Sequence, residues 1–304
     1  MEEHHHPAGS AKMLAYALAI TLVFALVEVA GGLISGSLAL LGDAGHMFTD
    51  VLALGLSLGA ALMAGRVATE RHTFGFLRAE VLVALVNGIA LVGISLLLMY
   101  RAVGRLADPV EVNADVMLGT AVLGTAANLV GMAILRHGSH ENLNVRGAFL
   151  HMMSDLLSSF GVIAAALLIR FLHWQAIDPI LGIGIAVVIL VSAYRLIAQS
   201  ASVLLEAVPS HIELREVEAA MREVEGVVSV HDLHIWTLSS GVYALSGHVV
   251  VADRQLSTCA PVLRRLEGML SERFRIGHTT IQVEAECCPA NGCSIGPGNG
   301  ARPG

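Results

Sequence analysis

Apolar residues fill this chain in long unbroken runs, and the polar positions between them mark where each run stops. Six runs can be read, at about 13–34, 38–64, 78–104, 113–135, 143–171 and 178–204. Each is long enough to cross the roughly 30 Å hydrocarbon core of a bilayer as a helix, which takes about 20 residues. After Glu206 the pattern changes. HIELREVEAAMREVEG has the period of an amphipathic helix with its acidic residues outward, and VVSVHDLHIWTLS and VYALSGHVVVA alternate as strands do. A second helix is expected over about 257–274, before a last strand, HTTIQVEAE.

The order α-β-β-α-β fits an α+β module of ferredoxin-like or metallochaperone-like kind, an antiparallel sheet covered by helices on one face. Four parts are therefore expected: an N-terminal segment with a His run (1–12), six transmembrane helices (13–206), an α+β domain (207–286) and a flexible Gly- and Pro-rich tail (287–304).

Composition settles the solvent. With 55% hydrophobic and 14% charged residues over 304 positions, and a mean hydropathy of +0.70, this is a polytopic α-helical membrane protein whose first partner is the lipid bilayer. The formal charge of −7 comes with no basic patch and no zinc-finger spacing, so nucleic acid is not expected as a partner. The opening MEEHHHPAGSAK lacks the apolar core and small-residue cleavage site of a secretory signal. RVATERHTFGFLR, between the second and third runs, is rich in arginine, whereas LADPVEVN after the third carries only acidic charge. RHGSHENLNVR and LHWQAIDP repeat that contrast, which places both termini in the cytoplasm, across an inner or plasma membrane.

The charges inside the apolar runs carry the chemistry. His46 and Asp50, in SGSLALLGDAGHMFTD, leave one face of a helix because they are four residues apart, and His151 and Asp155 repeat the spacing in FLHMMSDLLSSFGVI. Two such helices facing each other make a tetrahedral site of two imidazoles and two carboxylates, a set that suits Zn²⁺. Burying those carboxylates costs about 2.5–3.5 kcal/mol each at mid-membrane, a penalty that needs a role to offset it. Asp43 is the rival ligand in the first helix; a cap or a partner that orients His46 is the preferred role. Glu28, Asn87 and Asn128 are isolated, and the asparagines read as interhelical hydrogen bonds.

In the α+β domain His231, His234, His248 and His278, with Asp232 and Glu284, fall on or beside strands, and a second metal site is expected there. Alternation puts His231 and His234 on opposite faces unless a bulge intervenes. His231 is the expected ligand, with His234 packing beside Trp236. Cys287, Cys288 and Cys293 crowd the tail, a pattern of metal or redox chemistry on a reducing face and a possible tail site.

With SGSLALLGDAGHMFTD, FGFLRAEVLVALVNG, FLHMMSDLLSSFGVI and VHDLHIWTL in place, the chain resembles the cation diffusion facilitators over residues 13–286, in their zinc-transporting branch. The resemblance implies a homodimer with a cytoplasmic C-terminal domain, exchanging divalent metal ions for protons by alternating access. It puts the transport site on His46, Asp50, His151 and Asp155. The cytoplasmic-domain metal site falls on His231, His248 and His278, with Glu284 closing it. Eukaryotic relatives often carry a long His-rich loop between the fourth and fifth helices; here only His137 and His140 occupy it, and His4, His5 and His6 with the cysteine tail are the other candidates for metal capture. Zn²⁺ is thus expected as substrate and as regulatory ligand, with Cd²⁺, Co²⁺ or Ni²⁺ as alternative cargoes. An intramembrane metalloenzyme is disfavoured, since no HExxH accompanies the ligands and a four-ligand site leaves no place for a water. A membrane-anchored metal sensor is the alternative of another class.

Overall fold

The computed structural model describes residues 7–63, 69–135, 143–239, 241–252 and 256–285; within the helices some side chains, those of Asp50, Asn128, His151 and Asp155 among them, lie outside the described set. The six apolar runs are six helices: α1 (Pro7–Ser35), α2 (Leu38–Met63), α3 (Ala79–Ala107), α4 (Ala114–Leu135), α5 (Leu143–Leu172) and α6 (Ile177–Leu204). Among the described residues Leu18–Ser35, Ala79–Ala107 and Ile177–Leu204 are long and apolar enough to cross a membrane, and Ala114–Ala126 and Leu156–Leu172 are shorter apolar stretches.

Local chemistry sets the helix ends. Gly36, at φ +72°, turns the chain between α1 and α2, and the Ser37 hydroxyl caps α2 by accepting from the Leu40 amide at 3.1 Å. Asn113 Oδ1 accepts from the Val116 amide at 3.2 Å and starts α4 in the same way. His173 (φ 56°) and Glu206 (φ 58°) take the left-handed conformation just past the ends of α5 and α6.

The chain divides into two compact units. In the first, α1 lies against α2 and α4, α4 against α5, and α2 against α5. Ala39 and Leu40 of α2, Met117 and Ala121 of α4, and Val162, Ala165, Ala166 and Ile169 of α5 form one buried cluster. The helix α3 meets α6 through Leu91, Ile189 and Ala193, and at Gly88 any side chain would run into Ile197, 2.7 Å from the Cβ position. Sequence alone suggests close helix approach at the glycines at 55, 59, 88 and 93; at Gly55 and Gly93 nothing among the described residues stands within 4 Å of the Cβ position.

The second unit holds α7 (Leu214–Arg222), β1 (Val227–Ser239), β2 (Val242–Val251), α8 (Leu256–Phe274) and β3 (Ile276–Glu284), with the residues leading into α3 and out of α6. There Arg78 and Glu206 pair at 2.7 Å, and the Ser239 hydroxyl donates to Glu80 Oε2 at 2.7 Å. Val217 and Met221 of α7 and Val262, Leu266 and Leu270 of α8 share one core with Val230, Ile235, Leu245, Val249 and Ile276 of the sheet. Strand order is β1-β2-β3. The sheet is mixed, not antiparallel as expected: β1 and β2 form a hairpin, but β3 runs parallel to β2. The cause is α8, because a strand that returns through a crossover helix re-enters the sheet in its original direction.

Candidate metal sites

In the sheet, pairing alone brings two histidines together. His231 of β1 stands directly opposite His248 of β2, and their rings meet edge to face with centroids 5.2 Å apart. The parallel register puts Glu284 beside Val250 on the far side of β2. From there its carboxylate reaches both rings, with Oε2 3.2 Å from His231 Nε2 and Oε1 3.0 Å from His248 Nδ1. One ligand atom from each of the three residues lies within 4.8 Å of the others. His231 Nδ1 and Nε2 and His248 Nδ1 are buried and make no hydrogen bond among the described residues. Buried imidazole nitrogens that converge on one carboxylate group without being satisfied by it fit a divalent ion better than they fit one another. Gln282, opposite His248, donates to Glu284 Oε1 at 2.8 Å and holds the carboxylate in place.

A bulge selects the ligand on β1. The register slips between His231 and His234, with Asp232 at φ 51°. The slip lays Leu233 against Gly247, whose absent Cβ would stand 2.9 Å from Leu233 Cδ1. His234 turns outward, half exposed, with Nε2 3.2 Å from Asp232 Oδ1. His278 does not join the cluster. It pairs with Ala244, four positions along β2 from His248 and so about 13 Å away at 3.3 Å per residue. Its surroundings are an open groove with Glu267, Ser271 and Thr279. The parallel direction of β3 is the reason, since it puts Gln282 and Glu284 at the depth that His278 was expected to fill.

In the helices, His46 is half-buried on α2 and Asp43, one turn before it, is buried at 6% exposure. The Ser158 hydroxyl of α5 donates to Asp43 Oδ1 at 2.7 Å. The start of α2 shares its core with the later half of α5, so the two helices run antiparallel. Three residues on from Asp43 is His46, and three back from Ser158 is Asp155; seven on is Asp50, and seven back is His151. Steps of three and seven keep to one helix face, and in an antiparallel pair they reach equal depths on both sides. Counted along the backbone from the hydrogen bond at Asp43, position 46 comes level with position 155 and position 50 with position 151, about 6 Å further on. Ser158 carries no mark in the sequence; only its spacing from Asp155 could have flagged it. Glu28, buried on α1, lies with its Oε1 2.7 Å from the Cβ position of Gly124 on α4. Cys287, Cys288, Cys293, His4, His5, His6, His137 and His140 lie outside the described residues.

Residues 14–205 match the cation efflux transmembrane domain, and residues 209–286 match the cytoplasmic domain of cation efflux proteins. The chain belongs to the cation diffusion facilitator family. Among relatives, it is 42% identical to the metal cation efflux system protein CzcD of Cupriavidus metallidurans over 285 residues, 94% of this chain and 90% of that one. It is 42% identical to the zinc transporter ZitB of Escherichia coli over 292 residues, 95% and 92% of the two chains. A cadmium, cobalt and zinc/H(+)-K(+) antiporter of Bacillus subtilis is 38% identical over 289 residues, 94% and 93%. Among solved structures, the metal-bound C-terminal domain of the CzcD transporter is 45% identical, spanning 24% of this chain and 99% of that one, with a TM-score of 0.22. Like the family, the chain is a multi-pass membrane transporter for the efflux of divalent metal cations, and it is not an enzyme.

Proposed function

We propose that the protein exports Zn²⁺ in exchange for protons, with His46, Asp50, His151 and Asp155 as the transport ligands. The observation that supports this is the Ser158 to Asp43 hydrogen bond, since helix spacing counted from it brings each histidine of one HxxxD helix to the depth of the aspartate on the other. Asp43, engaged by Ser158, serves as the outer pin of the site and not as a ligand. Coupling follows from the ligands: imidazole and carboxylate must shed protons to hold metal, so protons and Zn²⁺ compete for the same atoms. Histidine titrates near pH 6.5 when unperturbed, which sets the competition within the physiological range. Relatives named as a zinc transporter and as a zinc/H(+)-K(+) antiporter support both cargo and exchange.

His231, His248 and Glu284 form a separate regulatory zinc site, with His278 outside it. The protein works as a homodimer, through the cytoplasmic domain, residues 207–286, and alternates access across an inner or plasma membrane with both termini cytoplasmic. The arginine-bearing loops are the support for that orientation.

Two tests follow in proteoliposomes. A carboxylate offers two oxygens and a further charge where an imidazole offers one directional nitrogen, so His46→Asp should raise cadmium flux relative to zinc while zinc still moves. Rates for Zn²⁺, Cd²⁺ and Mn²⁺ at fixed pH decide it; an unchanged cadmium-to-zinc ratio removes His46 as a selectivity ligand and returns Asp43 to consideration. Replacing Cys287, Cys288 and Cys293 together by Ser should raise the zinc concentration for half-maximal rate and leave the maximal rate alone, because thiolates of the tail capture zinc and pass it on. An unchanged concentration dependence assigns the tail no part in transport.

A further inference from the structure

The most completely buried charge among the described residues is not in either metal site. Asp178, in the first turn of α6, is 0% exposed. Its carboxylate reaches across to the start of α2, where Oδ1 accepts from the Ser37 hydroxyl at 2.5 Å and the Ala39 amide at 3.1 Å, and Oδ2 accepts from the Leu38 amide at 2.8 Å. Arg105, near the end of α3, lies 3.7 Å from Oδ2 and donates to the Gly36 carbonyl in the turn before α2. One carboxylate and one guanidinium thus tie the outer end of α2 to α6 and α3. Packing tightens the tie: a Cβ at Gly182 would stand 3.2 Å from Leu38 Cβ, and one at Gly42 would stand 3.0 Å from Ile185.

A cap for α2 alone does not require this arrangement. Ser37 already caps the helix from the local sequence, with no charge taken out of water. A carboxylate from another helix, with its arginine, carries the desolvation cost of one fully buried ion and one partly exposed ion, and what it adds over a local cap is a fixed position of one helix against two others. The first two turns of α2 are held on all sides, with Ala39 and Leu40 at 0% exposure and Ala44 at 1%. From His46 onward the described side chains of α2 are no longer buried. The helix is therefore anchored at its outer end, about 12 Å from His46 and 18 Å from Asp50 at 1.5 Å per residue.

We infer that Asp178, backed by Arg105, is a positioning residue for transport: it fixes the depth of α2, and with it the level at which His46 and Asp50 meet α5. This rests on the four-ligand site proposed above. Loss of the tie lets α2 slide and tilt, and a ligand misplaced by about 1 Å weakens metal binding before it changes anything else.

The test is the zinc dependence of the initial rate for the full chain in proteoliposomes at fixed pH, for wild type, Asp178→Asn, Arg105→Met, Arg105→Lys and Asp155→Ala, with rates normalised to folded protein. Asp178→Asn turns an accepting oxygen into a donor facing donors. It should raise the half-saturating zinc concentration about 10-fold to 100-fold, the range for residues that orient metal ligands, with a maximal rate within about threefold of wild type. Arg105→Met should do the same in smaller measure, and Arg105→Lys, which keeps the charge, should recover part of the loss. A lower folded yield or maximal rate with unchanged half-saturation in these variants makes the tie a stability device only and overturns the inference. Should Asp178→Asn fail to insert, Arg105→Met decides, because it leaves every bond from Asp178 to α2 in place. Normal transport by Asp155→Ala refutes the four-ligand site and this inference with it, whereas a dead Asp155→Ala beside unshifted Asp178 and Arg105 variants refutes the positioning role alone.

Discussion

Asp155→Ala protein in vesicles is expected to move no zinc, although it inserts and folds as the wild type does. The carboxylate contributes nothing to an apolar helix and costs about 2.5–3.5 kcal/mol at its centre, so its removal leaves stability unchanged or raised while one of four ligands is lost. The same holds for Asp50→Ala. Zinc uptake beside thermal unfolding of the same preparation separates the outcomes: a stable, inactive variant fits the transport site, and normal uptake removes Asp155 from it. On the proposed pairing of Asp155 with His46 and Asp50 with His151, the two aspartates belong to different layers.

The second large effect is expected in the sheet. His248→Ala should weaken zinc binding to the cytoplasmic-domain site at least about 100-fold, since even residues that only orient a metal ligand are worth 10-fold to 100-fold and His248 supplies the ligand atom itself. Calorimetric titration in the Asp155→Ala background isolates this site from the transport site. Glu284→Ala should behave alike, and Gln282→Ala should lose less, since Gln282 only holds the carboxylate. His278→Ala should bind as the parent does. A large loss in His278→Ala with none in His248→Ala would mean that the parallel register of β3 is not the one that binds metal.

Strand direction marks the point where the sequence stopped being informative. The helices were legible because a bilayer leaves the chain no choice: each apolar run from 13 to 204 is a helix in place, with ends set by nearby residues such as Ser37 and Asn113. On β1 the histidine that faces His248 is His231, but the bulge at Asp232 breaks the alternation on which the choice between His231 and His234 was argued. Nothing local says whether β3 runs with or against β2. Pairing across α8 is decided by the crossover, and the place beside His248 that the resemblance implied for His278 is taken by Gln282. Ser158 and Asp178 were missed for a related reason. A serine in a helix and an aspartate before a proline at a helix start are ordinary in sequence, and their partners, Asp43 and Ser37, lie 115 and 141 residues away.

The central claim, exchange of zinc for protons at the four-ligand site, is tested most directly by following zinc and protons together in proteoliposomes. Zinc added outside should enter as the lumen becomes more alkaline, and an acid lumen should speed zinc entry, because protons leaving the vesicle empty the same ligands that metal fills. Asp155→Ala should show neither flux. Zinc entry with no counter-movement of protons, or proton movement undiminished in Asp155→Ala, would contradict the account.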